Sequence, residues 1–250
     1  MNLNHTAIVV LAAGKGTRMK SDMAKVLHPL LGKPMIQYVV DTASQLVKER
    51  VVVVVGHQAE AVRKAVTEMA DARFVEQRQQ LGTGHALQCA LPQIASSVET
   101  VVVLCGDVPL ISKETLSAFV NGHHASGRDV SVLCVRMPDP TGYGRIIIDR
   151  EGRFTGIVEE RDTTDAQREI TLVNAGIYCI RQSLLKIGLA QIQCHNAQGE
   201  YYLTDIVQIG CAAGWRVGIE ACAGLQEVVG INTLEDLARV EGTLTLRNRT

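Results

Sequence analysis

The chain has 250 residues, 25 Lys and Arg against 26 Asp and Glu, a formal net charge of −1 and 46% hydrophobic residues. That balance excludes a generally basic nucleic-acid binder, and the composition excludes disordered and fibrous classes while allowing a sizeable buried core. No stretch approaches the roughly 20 uninterrupted apolar residues of a membrane span, and the start, MNLNHTAIVVLAAG, lacks the basic region of a secretory signal, so a cytoplasmic protein without a membrane partner is expected.

In chain order, β-branched runs at 7–11, 51–55, 100–105 and 129–135 alternate with segments of helical period at 34–48, 58–70, 84–95 and 112–121. Runs apolar at nearly every position are those of strands buried on both faces, and alternating β and α elements predict a parallel sheet covered by helices on both sides. Ser112 and Thr115 lie near the start of the fourth helix. Beyond residue 140, RIIIDREGRFTGIVEE holds two strand-like runs joined by Arg-Glu-Gly, an antiparallel hairpin inserted into the β/α pattern. A strand at 174–180, helices at 181–190 and 200–213, a strand around Trp215 to Ala221 and a helix from Leu234 follow. With no linker or internal repeat, residues 1–250 are expected to form a single α/β domain with a Rossmann-like mixed, mainly parallel sheet.

The seven cysteines, an odd number with no C-x-x-C pair, read as small core hydrophobes. Neither Cys194 with His195 nor the pair His123 and His124 has the neighbours a zinc site needs, so the histidines read as surface residues.

The first strand runs into Leu11-Ala12-Ala13-Gly14-Lys15-Gly16-Thr17-Arg18-Met19, where small residues allow close backbone approach to a ligand. The loop is no Walker A sequence, and Met19 stands where a dinucleotide fingerprint requires its third glycine. Lys15, Arg18, Lys20 and Lys25 face one acid, Asp22, within eleven residues. Such a segment is either a solvated basic turn or, at the carboxyl end of a parallel sheet, a polyphosphate site.

L-A-A-G-K-G-T-R-M followed by Lys25 resembles the signature of the nucleotide-sugar pyrophosphorylases. The resemblance is nearest to the uridyltransferase domain of the bacterial bifunctional enzymes that make UDP-N-acetylglucosamine, a peptidoglycan and lipopolysaccharide precursor. It continues through Gln77, Gln80 to Ala86, Gly106-Asp107-Val108-Pro109-Leu110, Asp139 to Arg145, Gly156 to Glu159, Asn174-Ala175-Gly176 and Gln198 to Asp205. It implies the nucleotide-diphospho-sugar transferase fold and Mg²⁺-dependent joining of UTP to N-acetylglucosamine 1-phosphate, with release of pyrophosphate. By that resemblance Arg18 and Lys25 are the catalytic cations, and Asp107 with Asn232 holds Mg²⁺. The uracil would meet the backbone of Ala13 and Gly14 together with Gln77 and Gly82, while Leu11, Ala12, Cys105, Gly106 and Asn232 also line the substrate. The sugar would be held by Thr83, Gly144, Glu159 and Asn174.

Each position also has a plainer reading. Gln77 suits a solvated loop, Glu159 with Glu160 a solvated acidic run, Gly106 to Pro109 a turn, and Asn232 a helix cap. Ala24 replaces the proline that usually precedes the lysine, which loosens the expected turn, and Cys105 replaces a larger or hydroxylated residue of some relatives. Full-length relatives continue into a left-handed β-helix that transfers acetyl groups and trimerises; its hexapeptide repeats do not occur here, so no acetyltransferase activity is expected, and a trimer only if such a domain exists in the native protein. Glucose 1-phosphate or CTP as substrate, a silent nucleotide-sugar sensor, and least of all a dehydrogenase are the alternatives.

Overall fold

The structure is a computed structural model that describes residues 3–247. In chain order its elements are β1 (Thr6–Ala12), a short hairpin of β2 (Pro29–Leu30) and β3 (Lys33–Pro34), α1 (Met35–Val47), β4 (Val51–Val55), α2 (Ala59–Thr67), β5 (Arg73–Glu76) and α3 (Thr83–Ala90). Then come β6 (Thr100–Cys105), α4 (Lys113–Ala125), β7 (Val130–Arg136), β8 (Arg145–Ile148), β9 (Phe154–Val158) and α5 (Asp165–Arg168). Last are β10 (Leu172–Arg181), α6 (Gln182–Leu189), α7 (Asp205–Ala212), β11 (Val217–Ala221) and α8 (Leu234–Arg247).

The main sheet runs β11-β7-β10-β6-β1-β4-β5, with β8 joined to β10 and β9 to β8. β1 pairs in parallel with β4 and β6, β4 with β5, and β7 with β11, whereas β10 is antiparallel to both β6 and β7. Alternate strand residues serve different cores. Ile8, Val10, Val53 and Val102 pack with α1, α2 and α4, while Val9, Val52, Val54 and Val103 pack with α3, α6 and α7. This two-sided burial is why the strand runs are apolar at every position. From β1 the chain moves outward through β4 and β5, then returns to place β6 on the other side of β1. That reversal opens a crevice at the carboxyl ends of β1 and β6, the place where open α/β sheets bind ligands.

The mixed, mainly parallel sheet and the inserted hairpin match expectation; some boundaries do not. The segment expected to begin a helix at 200 is not helical before Asp205, because Tyr201 N donates to Leu81 O at 2.8 Å and its carbonyl accepts from Gly84 N at 2.8 Å. α3 gives way after Ala90 to a 3-10 turn over Leu91–Gln93. α4 continues past 121 to Ala125, and Ser112 caps it by accepting from Thr115 N at 3.1 Å. His123 is buried, its Nδ1 2.9 Å from Ser131 Oγ, and is not the surface residue expected; Cys211 is exposed and not in the core. β5 was not anticipated, because its half-exposed Arg-Phe-Val-Glu pattern carries no periodic signal and only pairing with β4 makes it a strand.

Candidate active site

The loop after β1 turns sharply at Gly16, whose φ of +66° is in the left-handed region. A Cβ there would lie 2.4 Å from Lys25 Cβ, so glycine is needed for the two segments to pass each other. The turn ends in a 3-10 segment carrying Arg18, and a second one begins at Lys25. Ala24, in the position expected to be looser without proline, has φ −55°, the value proline would impose. Its free N–H donates to Gln58 Oε1 at 2.9 Å, and Gln58 Nε2 donates to Asp22 O at 2.8 Å. A side chain from the start of α2 thus clamps the turn that presents Lys25. Gln58→Ala is expected to lower the melting temperature by about 2–4 °C, from the roughly 1 kcal/mol of one hydrogen bond, and Ala24→Pro in that background to restore most of it; calorimetry of the two variants checks both.

Four of the residues singled out in the sequence converge. Lys25 Nζ pairs with Asp107 Oδ2 and donates to Asn232 Oδ1 at 3.0 Å, and Arg18 donates to the same Asn232 oxygen at 2.7 Å. Asp107 follows β6, where Gly106 N donates to Leu11 O at 2.9 Å and a Cβ on Gly106 would press on Leu11 O, Ile36 and Val26. Asp107 O accepts from Ile231 N at 2.9 Å, and Tyr143 Oη accepts from Gly230 N at 3.1 Å, so the segment bearing Asn232 is held from two sides. Asn232 is not the helix cap. Thr233 Oγ1 accepts from Asp236 N at 3.1 Å, Asp236 Oδ2 accepts from the backbone of both Asn232 and Thr233, and the Asn232 side chain is left to face the cations.

Of the cavities that border this cluster, two hold most of the residues singled out in the sequence. The larger, about 520 Å³, is lined by Leu11, Ala12, Ala13, Gly14, Gln77, Gly82, Lys25 and Asp107. The smaller, about 200 Å³, is lined by Arg18, Gly144, Glu159, Asn174, Tyr178, Thr204 and Asn232. Leu11, Thr83, Cys105 and Asp107 border both. Gln77 is buried rather than solvated, with Nε2 donating to Gly82 O at 2.9 Å. Gly82, at φ +109°, lies so close to Tyr201 that a Cβ would be 2.7 Å from its carbonyl oxygen. Thr83 Oγ1 accepts from Leu203 N at 3.0 Å and keeps its own proton for another acceptor.

On the other side, Asn174 Oδ1 accepts from Gly176 N at 2.9 Å and Nδ2 donates to Tyr178 Oη at 2.7 Å, across a bulge of β10. Glu159 accepts from Thr204 Oγ1 at 3.1 Å; burial raises its carboxyl above the usual range, and Asp205, Asp162 and Glu200 add to the rise. Burial also pushes the Cys105 thiol up to about 12, so it is a neutral donor to Gly176 O, at 3.4 Å. Glu160, the second member of the acidic run, pairs at 2.8 Å with the fully buried Arg145 and accepts from Gly142 N at 3.0 Å. Tyr143, Tyr178, Thr204 and Gln58 were given no role from sequence. Tyr143 and Thr204 lie within the quoted motifs and Tyr178 just past one, whereas Gln58 carried no signal beyond its place at the start of an expected helix.

Asp205, the first residue of α7, is pushed up from 3.8 to about 6 by burial and by Asp162. The folded chain therefore holds this proton more tightly than the unfolded one. The stability it contributes is complete below pH 3.8 and is lost as pH rises through about 6. Asp205→Asn is expected to raise the melting temperature at pH 7.5 by about 2–4 °C, from about 1 kcal/mol after allowing for the side chain's partial exposure, and to change it little at pH 4; calorimetry at the two pH values measures this.

Residues 8–170 match the MobA-like NTP transferase domain family. The chain is 45% identical over 99% of its length to the bifunctional protein GlmU of Geotalea uraniireducens, covering 54% of that protein. It is 43% identical over 98% to the GlmU of Desulfotalea psychrophila, covering 72%, and 49% identical over 94% to that of Cupriavidus pinatubonensis, covering 51%. The chain thus spans about half the length of most of these relatives. On sequence, fold and the convergence of its glycine-loop cations at the sheet's switch point, the chain belongs to the MobA-like NTP transferase domain family and is a nucleotidyltransferase.

Proposed function

We propose that residues 1–250 act as a single domain that transfers the uridylyl group of UTP to N-acetylglucosamine 1-phosphate, giving UDP-N-acetylglucosamine and pyrophosphate. The observation that carries this reading is the meeting of Arg18, Lys25, Asp107 and Asn232 where the two cavities join, one for a nucleotide and one for a sugar phosphate. Identity of 43–49% to proteins named GlmU supports it.

In this reading an oxygen of the sugar phosphate attacks the α-phosphorus of UTP, a new P–O bond forms, and the bond to the bridging oxygen of the β-phosphate breaks. Pyrophosphate leaves with the electron pair. The nucleophile is already ionised at neutral pH, so alignment and charge neutralisation replace a general base. Arg18 presents a forked set of donors to the leaving pyrophosphate, and Lys25 a point charge to the phosphates beside it. In the larger cavity the loop backbone from Leu11 to Gly14, Gly82 and the Gln77 amide meet the uracil; in the smaller, Thr83, the Gly144 backbone, Glu159 and Asn174 hold the sugar, with Cys105 and Gly106 between.

The residues fit Mg²⁺. Asp107 Oδ2 and Asn232 Oδ1 are hard oxygen donors, and both lie within hydrogen-bonding reach of one cation, the Lys25 ammonium. When bound, the metal would neutralise charge on the phosphate oxygens. Among the described residues no cluster of three or more His, Cys, Asp and Glu is placed to hold a metal, so phosphate and water would complete its shell. Among the same residues no helix is long and apolar enough to cross a membrane, and we place the enzyme in the cytoplasm, where UTP is made.

Pyrophosphate release from the purified chain is expected with UTP, N-acetylglucosamine 1-phosphate and Mg²⁺, and more slowly with glucose 1-phosphate or CTP. No turnover with the first pair, or faster turnover with another, would overturn the assignment.

A further inference from the structure

The amide of Gln77 is held by its nitrogen end. Nε2 donates to Gly82 O at 2.9 Å and meets His85 Nδ1 at 3.0 Å, so both of its protons are committed. Gly82 O can only accept, and turning the amide over would set one carbonyl oxygen against another. His85 Nδ1 must therefore be the acceptor, which places the ring proton on Nε2. That nitrogen lies 3.7 Å from Cys89 Sγ, and burial raises the Cys89 thiol, leaving it uncharged as an acceptor. His85 sits in the first turn of α3, and the turn is fixed in place by the bond from Gly84 N to Tyr201 O.

What Gln77 has left for a ligand in the larger cavity is Oε1, an acceptor. The pairing edge of uracil carries two carbonyl oxygens and a single donor, N3–H. An acceptor that reads this base must meet N3–H, whereas cytosine presents a bare lone pair at N3 and would set it against Oε1. A site built for a donor rejects the analogue that lacks it.

We infer that His85 is a positioning residue for base selection: by holding the amide nitrogen of Gln77 it keeps Oε1 toward the base and so favours pyrimidines that bear N3–H. This rests on the reading that Gln77 meets the base of the triphosphate. Uracil and 5-methyluracil belong to the accepted class and cytosine does not.

The test is steady-state kinetics with UTP, 5-methyluridine triphosphate and CTP on the full chain and its variants, with folding followed by circular dichroism. The unaltered chain should use both N3–H triphosphates in preference to CTP. His85→Leu releases one of the two amide protons and leaves Gly82 O as the single hold on the carboxamide, which loosens the aim of Oε1, so the UTP-to-CTP ratio of kcat/KM should fall about tenfold. The loss should appear in the KM for UTP, with the KM for the sugar phosphate unmoved. His85→Gln offers a carbonyl acceptor and should restore most of the ratio. His85→Lys offers only donors and should not, which keeps the test decisive if His85→Leu fails to fold. Equal ratios in His85→Gln and His85→Lys would overturn the role of His85. If Gln77→Leu leaves the ratio unchanged, the base is not read at Gln77 and the underlying assignment falls with the inference. If Gln77→Leu lowers the ratio while His85→Leu does not, only the inference fails.

Discussion

Arg18→Ala should lower turnover about 10²–10³-fold, the cost of removing one preorganised donor from developing charge, while leaving the melting temperature close to that of the unaltered chain. Arg18 is exposed, on a 3-10 turn rather than in the core, and its side chain donates to Asn232 Oδ1. Losing it costs little folding energy, since surface substitutions away from caps and cores usually stay within about 0.5 kcal/mol. The remaining guanidinium donors are the ones proposed to meet pyrophosphate. Because a lysine at this position would keep the charge but lose the planar fork, Arg18→Lys should recover only a small part of the loss. Pyrophosphate-release kinetics beside a thermal melt measures both quantities, and a rate within a few-fold of normal in Arg18→Ala would remove Arg18 from the mechanism.

Asp107→Asn keeps the shape of the side chain and deletes its charge. The carboxylate is mostly buried, 17% exposed, and is paired with an equally buried Lys25. Its loss leaves Lys25 with the Asn232 amide oxygen alone, and it removes the one anionic donor from the pair of oxygens proposed for Mg²⁺. Transition-state charge stabilisation of several kcal/mol is at stake in such a position, so turnover should fall on the order of 10³-fold. The affinity for Mn²⁺ as a probe metal should weaken with it, which a titration followed by magnetic resonance reads without turnover. Lys25→Met alone should be similarly slow, and the double variant should be little worse than either single one, since residues that act as a unit are not additive. Additive losses would mean that Lys25 and Asp107 work independently.

Much of this architecture was legible before any coordinates. Five consecutive valines at 51–55 can be satisfied only by a strand covered on both faces, and that is where they lie. The order strand, glycine turn, cations pointed to the end of β1, and a cavity opens there. The failures share a cause. A helix is expected from 200, yet none forms before Asp205, because Tyr201 is tied on both sides to the backbone of Leu81 and Gly84 and Leu203 N donates to the Thr83 hydroxyl. β5 is a strand because β4 offers it a free edge. His123 looked like a surface residue and is buried because Ser131 of the neighbouring strand supplies a partner. Local pattern records propensity and periodicity, but partners distant in the chain choose among the conformations it permits.

The sequence by itself determined the α/β class, the antiparallel insertion, the glycine loop with its cations and the types of side chain that stand near it. Those depend on spacing within a few residues, or on motif order along the chain. Only the tertiary structure decided which groups meet. Asn232 stands 214 residues from Arg18 and 207 from Lys25, and one amide oxygen receives them both. Ala24 without its proline looked like a weakened turn until Gln58, 34 residues away, took the free N–H. Gln77 had both donors and acceptors until Gly82 O and His85 Nδ1 used its protons and left only its oxygen, an acceptor. A hydrogen bond of this kind needs two groups within about 3 Å at the right angle, and it is packing of the whole sheet and its helices, rather than any stretch of sequence, that brings them there.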